Sequence, residues 1–367
     1  MNILRVAQKI YPDVKGGGPY HVHAMSRDQA AMGHKVTVVT VDDDSEKPHV
    51  EDRNGYTVVR YPSTVELLGN GISIGVGQHL LNAEEFDVMH AHSHLYFSTN
   101  LAALKRRCGN IPLAITNHGL YSQNAPEWVF NAYLRTVGRW TFNRSDVVFC
   151  YTKEDKRRVE EFGVTSDIKV IPNGIDTERF TPEGSESGLI NHDGPVVLFV
   201  GRLVGGKRPY DVIGAIDQVH AEYPDIRLYL CGEGAMREEL ENHVAERGLK
   251  DSVRFLGQVP YDEMPTLYRA ADALVLPSRA EGLPRTVLEA MACNVPVVCS
   301  DLEQVVPVIG GAGTTVSVGD INGFANALNQ ALCGRYGNGR QSVKEAFRWS
   351  ETVEKTTRAL KSTVRTK

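Results

Sequence analysis

The run Val196-Val197-Leu198-Phe199-Val200-Gly201-Arg202-Leu203-Val204-Gly205-Gly206-Lys207-Arg208-Pro209 decides the fold. Its first five residues are apolar without alternation, the pattern of a parallel strand buried on both faces. The glycine-rich stretch that follows is a strand-to-helix loop, and a helical pattern begins at Pro209. Arg202 and Lys207 are cations on that loop, where they are placed to neutralise a diphosphate.

The same alternation of strand-like and helical runs fills the rest of the chain, which argues for parallel sheets covered on both faces. A first series comprises Ile3 to Ala7, Val36 to Val41, Val58 to Tyr61, Val88 to His90, Ala114 to Thr116, Val147 to Cys150 and Lys169 to Ile171. A second comprises Val196 to Val200, Arg227 to Cys231, Val253 to Leu256, Ala273 to Leu276, Val295 to Cys299 and Thr315 to Val316. Between them, residues 181–194 are rich in Gly, Ser, Glu and Pro, lack periodicity and read as a linker. The expected fold class is α/β, with two Rossmann-like, doubly wound parallel-sheet domains over 1–180 and 195–349. A closing helix is expected from Ser350, with that serine as its N-cap.

A second segment carries chemistry: Pro277-Ser278-Arg279-Ala280-Glu281-Gly282-Leu283-Pro284-Arg285-Thr286-Val287-Leu288-Glu289-Ala290-Met291-Ala292. It ends an apolar strand, turns at Gly282 and Pro284, and starts a helix. The free N–H groups of a first helical turn, together with the helix dipole, form a site for an anion such as a diphosphate. Glu281 stands at the mouth of that site. Glu289 lies a little over two helical turns further on, too far to share a proton with Glu281 and suitably placed to accept hydrogen bonds from another part of a long ligand. Two carboxylates framing an anion site suggest a sugar nucleotide.

Together these segments resemble the signature of the large family 4 of retaining glycosyltransferases, a Gly-Arg-Leu loop with a following lysine and an E-x7-E segment. The resemblance runs nearly end to end. It includes Gly16-Gly17, Gly33 to Thr40, Asp87 to His92, Thr116-Asn117-His118-Gly119, Pro172 to Asp176, Cys231-Gly232-Glu233-Gly234, Phe255 to Val259 and Pro296-Val297-Val298. The sequence departs from the pattern at Pro19-Tyr20 in place of a Glu-Arg pair, at Arg208 and Asn294 in place of glycines, and at Asp301 to Val305 in place of a glycine-rich loop.

The resemblance implies the GT-B fold, two Rossmann-like domains facing across a cleft, with 1–180 on the acceptor side completed by the C-terminal helix 350–367 and with 195–349 binding the nucleotide sugar. It implies a retaining, metal-independent hexosyltransferase that moves a sugar from a UDP- or GDP-sugar to a hydroxyl acceptor, most often a glycan or a lipid-linked sugar. The catalytic residues it implies are Glu281, Arg202, Lys207 and His118. Donor binding falls to Gly16, Gly17, Arg202, Lys207, Leu256, Gly257, Val259, Leu283, Pro284, Thr286 and Glu289. Of these, Arg202, Lys207 and the backbone of Gly17 and of Leu283 to Thr286 hold the diphosphate, Leu256 to Val259 line the base, and Glu289 takes the ribose hydroxyls. Glu281 contacts the transferred sugar opposite His118. The nucleoside diphosphate sugar is a substrate, and no cofactor or metal is expected.

Composition bounds this reading. A chain of 367 residues, 42% hydrophobic, is long enough for two domains with full cores. A net charge of -5 gives no reason to expect nucleic acid as a partner. No apolar run approaches the ~18 residues of a membrane-spanning helix, and Met1 to Ala7 reads as a strand rather than a signal peptide, so the cytoplasm is the expected compartment. Six cysteines are scattered with no CxxC and read as reduced packing residues.

His90, His92 and His94 alternate at strand spacing, but Ser93 and the helical pattern beyond His94 end the strand near His92, which argues against a metal site. Asp42-Asp43-Asp44 contains a D-x-D but falls in a loop after the second strand, where solvated aspartates are common. In Trp128 to Arg144, aromatics alternate with Arg135, Arg139 and Arg144, a composition that suits peripheral contact with the cytoplasmic face of a membrane. Two other functions suit the same fold. A UDP-sugar 2-epimerase would lack the loop cations and the paired glutamates, and a non-catalytic sugar-nucleotide-binding relic would have lost Arg202, Lys207 or Glu281.

Overall fold

The computed structural model describes residues 1–67, 70–121 and 127–365. The chain divides into two compact units, Met1–Pro172 with Glu351–Lys367, and Asn173–Ser350.

Unit 1 is built on β1 (Asn2–Val6), β2 (Lys35–Val41), β3 (Val50–Arg53), β4 (Tyr56–Tyr61), a separate hairpin of β5 (Val65–Leu67) and β6 (Asn70–Ile72), then β7 (Val88–His92), β8 (Leu113–Thr116), β9 (Val147–Cys150) and β10 (Asp167–Val170). The main sheet has the order β10-β9-β8-β7-β1-β2-β4-β3, parallel except for β3. Successive side chains of a strand point to opposite faces, and here both faces are buried. Leu4, Val39, Met89, Ile115 and Val148 enter one core, while Ile3, Val38, Val88, Ala114 and Phe149 enter the other. Full burial explains why these strands read as unbroken apolar runs. The charged edge strand Val50-Glu51-Asp52-Arg53 has no such run, and sequence reading missed it.

Unit 2 carries β11 (Val196–Val200), β12 (Arg227–Cys231), β13 (Val253–Gly257), β14 (Ala273–Leu276), β15 (Val297–Ser300) and β16 (Gly313–Val316), all parallel, in the order β13-β12-β11-β14-β15-β16. Strand succession reverses between β11 and β14. In open α/β sheets the loops leaving the C-terminal ends of such a pair diverge and leave a crevice for ligand. The corresponding reversal in unit 1 lies between β1 and β7.

Two boundaries differ from expectation. The chain passes from unit 1 to unit 2 at Pro172/Asn173, not within 181–194. The cause is tertiary: Arg340 donates to Thr177 O at 3.1 Å and Phe180 O at 2.8 Å, Ile175 forms a bridge with Arg348, and Phe180 is fully buried beside Tyr261 and Tyr268. The closing helix starts at Trp349, so Ser350 lies inside it and is not the N-cap. From Glu351 the helix belongs to unit 1, where Ala359 and Leu360 join the core and Thr357 accepts from Gln29 Nε2 at 2.9 Å.

Candidate functional site

The parallel pairing of β11 with β14 sets the loop Gly201–Arg208 beside the turn 277–284. Arg279 N donates to Gly206 O at 2.9 Å, which links the two loops through backbone. Their side chains meet as well. Lys207 Nζ forms a short ion pair with Glu281 Oε1, with side chains only 14% and 6% exposed. Sequence reading named both residues, and the fold brings them into contact although they lie 74 positions apart. Gln304 Nε2 donates to the backbone carbonyl of Glu281 and is itself buried. It comes from the loop after β15 that departs from the family pattern, and no local signal marked it.

The helix Arg285–Ala292 begins directly after the turn with Pro284 in extended conformation and without a side-chain cap, so its first N–H groups lack intrahelical partners. Leu283 and Pro284 are buried and Thr286 is half-buried. Arg202 is exposed on the opposite loop. Leu256 and Val259 are half-buried at the end of β13, and Gly257 takes φ +70 at a register shift there. Glycine is required beside this edge at Gly232, where φ is +143 and a Cβ would lie 2.0 Å from Gly201 O. The two places where glycine of the family pattern is replaced both keep a left-handed backbone, with φ 52 at Arg208 and φ 61 at Asn294. Arg208 is held there by two bonds to the Asp211 carboxylate, at 2.6 and 3.1 Å.

Glu289 is neither on a solvated face nor open to ligand along its whole carboxylate. It is 3% exposed, Tyr261 Oη donates to Oε1 at 2.8 Å, and Tyr268 Oη donates to Oε2 at 2.9 Å. Burial, and after it the neighbouring carboxylate, hold the Tyr268 hydroxyl well above its ordinary pKa, so it remains a donor. Arg285 extends the network: its Nη2 donates to Tyr261 Oη at 3.0 Å, and Nη1 donates to Asn173 Oδ1 at 3.2 Å and Gly174 O at 3.1 Å. The two tyrosines were not foreseen. Arg285 carried one faint signal, its i,i+4 spacing to Glu289.

In unit 1, Gly16 has φ +144 and precedes the helix Gly17–Ala31, both glycines being exposed at the helix start after β1. His118 follows β8 and is half-buried. His92 Nδ1 lies 3.0 Å from its Nε2, and Tyr151 Oη lies 2.9 Å from its Nδ1. Burial lowers the His118 pKa to about 4, so the ring is neutral at pH 7. The His90 and His92 rings lie 4.5 Å apart, tilted by 37°, and both are held well below the usual histidine range, by burial first. Arg5, a fully buried residue of β1, reaches His90 Nδ1 at 3.3 Å and is lowered to about 9 by desolvation. Among the described residues no group of three His, Cys, Asp or Glu side chains is arranged to hold a metal ion. The Asp42 carboxylate, within the D-x-D, instead pairs with Lys47 at 2.8 Å.

Known proteins share the family pattern and the fold. The family model "Glycosyltransferase Family 4" matches residues 15–179, and "Glycosyl transferases group 1" matches residues 181–349. An uncharacterized glycosyltransferase of Methanocaldococcus jannaschii is 30% identical, with 84% of this chain and 83% of that protein covered. A glycogen synthase of Mycobacterium tuberculosis is 28% identical over 90% of this chain and 86% of its own. Among solved structures, a sucrose-phosphate synthase from Thermosynechococcus elongatus superposes with a TM-score of 0.84 at 22% identity, covering 100% of both chains. The chain belongs to glycosyltransferase family 4 and has the GT-B fold. It is a glycosyltransferase, and neither the epimerase nor the relic is favoured.

Among the described residues, no helix is long and apolar enough to cross a membrane.

Proposed function

We propose that the protein transfers a sugar from a UDP- or GDP-sugar to a hydroxyl acceptor with retention of configuration and without a metal ion. The observation that carries this reading is the contact of Lys207 with Glu281 at the point where unit 2 reverses its strand order, directly before the start of the helix Arg285–Ala292. A cation and a helix start at one edge stabilise a departing diphosphate. Glu281, fixed by Lys207 and through its carbonyl by Gln304, faces the sugar. Donor diphosphate then takes over part of the Lys207 charge, and Arg202 approaches from the same loop.

The C–O bond to the diphosphate breaks through an oxocarbenium-like state, and the acceptor hydroxyl attacks the face the diphosphate leaves. A diphosphate oxygen takes the acceptor proton, so no protein nucleophile is required. Neutral His118 exchanges its bond to His92 for a sugar hydroxyl, while Gly16 and Gly17 offer backbone N–H groups to the donor. Glu289 uses its remaining lone pairs for the ribose. The acceptor is a glycan or a lipid-linked sugar, met at the cytoplasmic face of the membrane in peripheral contact.

The test is a panel of UDP- and GDP-sugars scored for nucleotide release, with the product anomer read by proton NMR. Release with one donor class and retention at the anomeric carbon is the expected result. Inverted product, or no turnover with any donor across an acceptor panel, would refute the proposal.

A further inference from the structure

A cleft of about 410 Å³ on unit 1 is lined by Arg135, Thr136, Arg139, Trp140, Asn143 and Arg144, none of which belongs to the donor motifs. The lining residues form two rows spaced by four, 135/139/143 and 136/140/144. In a regular α-helix a step of four over-rotates by about 40°, and rows of three would spiral off one face. The π-helical turn Leu134–Gly138, which precedes the helix Arg139–Phe142, widens the coil and offsets that rotation.

The neutral lining groups are already engaged. Thr136 Oγ1 donates to Ala132 O at 2.7 Å, and Asn143 bonds Gly163 O at 3.2 Å and Thr165 N at 2.7 Å. Arg139 lies along Gly163, where a Cβ would sit 3.2 Å from its Cδ and 3.4 Å from its Nη1. The charged groups that line the cleft are therefore three guanidiniums. All three are exposed, and among the described residues none is in an ion pair. Asp146, two residues beyond Arg144, is taken by Arg106 at 2.7 Å, and of the carboxylates further along, Glu160 pairs with Lys156 at 3.7 Å and Glu161 with Arg157 at 2.5 Å. The Arg144 guanidinium carbon lies 6.0 Å from the centre of the Trp140 ring.

Three unpaired cations around one cleft repel each other unless an anion is shared among them, and the guanidinium fork matches phosphate oxygens in pairs. The volume exceeds that of a phosphate alone, and Trp140 supplies an apolar wall for whatever carries it. We propose that this cleft is a binding site for the phosphate of an organic phosphate ester, either soluble or in a lipid headgroup. The site stands whether or not the proposed donor chemistry holds, because it shares no residue with it.

The test titrates the full chain with glycerol 3-phosphate by calorimetry at low salt, with the nucleoside diphosphates UDP and GDP present to occupy the donor cations. A triple variant Arg135→Gln, Arg139→Gln, Arg144→Gln is compared with a charge-matched control, Lys35→Gln, Arg107→Gln, Lys361→Gln. The cleft variant should lose affinity about tenfold or more while the control stays within about twofold. Arg139→Lys alone, which keeps the charge and loses the fork, should also weaken binding and keeps the test open if the triple variant does not fold. Cosedimentation with vesicles of one part phosphatidylglycerol to two of phosphatidylcholine separates the sources. Vesicle binding that is lost in the cleft variant and competed by inorganic phosphate assigns a headgroup, whereas glycerol 3-phosphate binding without vesicle binding assigns a soluble ester. Wild-type protein that binds neither probe, or equal losses in both triple variants, would overturn the site.

Discussion

Replacing Glu289 should destabilise unit 2 whether or not its carboxylate also binds donor. Its carboxylate accepts from two tyrosine hydroxyls at 2.8 and 2.9 Å and sits 3.6 Å from Arg285 Nε, at 3% exposure. Hydrogen bonds to a charged group contribute about 1.5–3 kcal/mol each. Losing two, with Tyr268 left as a fully buried donor, should cost Glu289→Ala about 3–5 kcal/mol. Glu289→Gln retains one acceptor and turns a donor toward the other tyrosine, so its cost should be about 1–2 kcal/mol. Urea unfolding followed by circular dichroism measures both. Tyr268→Phe completes a double-mutant cycle with Glu289→Gln, and a coupling of about 1 kcal/mol or more is expected for groups in direct contact. Donor affinity, measured well below the unfolding midpoint, then reports any ribose contact separately. If Glu289→Ala unfolded within about 0.5 kcal/mol of wild type while donor affinity collapsed, the carboxylate would be a ligand group and the tyrosine network would have no structural weight.

Glu281→Ala should lower turnover at saturating donor by a factor of about one hundred with little change in nucleotide affinity, whereas Lys207→Ala should weaken both; saturation kinetics and nucleotide titration distinguish them. EDTA should leave turnover unchanged, and loss with rescue by a divalent ion would refute a metal-independent reaction. Gly232→Ala should cost about 2–4 kcal/mol in urea unfolding, because the new Cβ meets the Gly201 carbonyl at 2.0 Å. Stability should also fall in mild acid. His90, His92, His94 and His118 are held below 6.5 by burial, to about 3 for His94 and about 4 for His118. Between pH 6.5 and 4 the unfolded chain therefore binds protons that the folded chain does not, at about 1.4 kcal/mol per pH unit for each such group. Asp155, raised to about 6 by burial, works the other way and offsets one of them below that pH. A pH series of thermal unfolding that stayed flat from 7 to 4.5 would show these rings charged or hydrated in the fold.

Local composition revealed the strands that are buried on both faces, because a parallel strand between helix layers has no polar positions to interrupt it. It could not place the passage between units. The stretch 181–194 looks like a linker on local grounds, but Phe180 is fully buried and Thr177 and Phe180 are tied down by Arg340, some 160 residues away. Strand β3 was hidden for the opposite reason, since an edge strand rich in charge has the composition of a loop.

The two glutamates show the same division within one helix and its leading turn. Their spacing marked the turn and the helix start as a candidate site, and the fold places Glu281 in that turn against a lysine of another loop. What each carboxylate does is set by partners that no spacing along the helix encodes: Lys207 and Gln304 for Glu281, Tyr261 and Tyr268 for Glu289. A pattern that repeats after a little over two turns can mark a site, but buried acceptors must be satisfied from across the sheet. Those donors arrive from the loops after β11, β13 and β15 and from the helix Met264–Arg269, so the chemistry of the pair belongs to the strand order of unit 2.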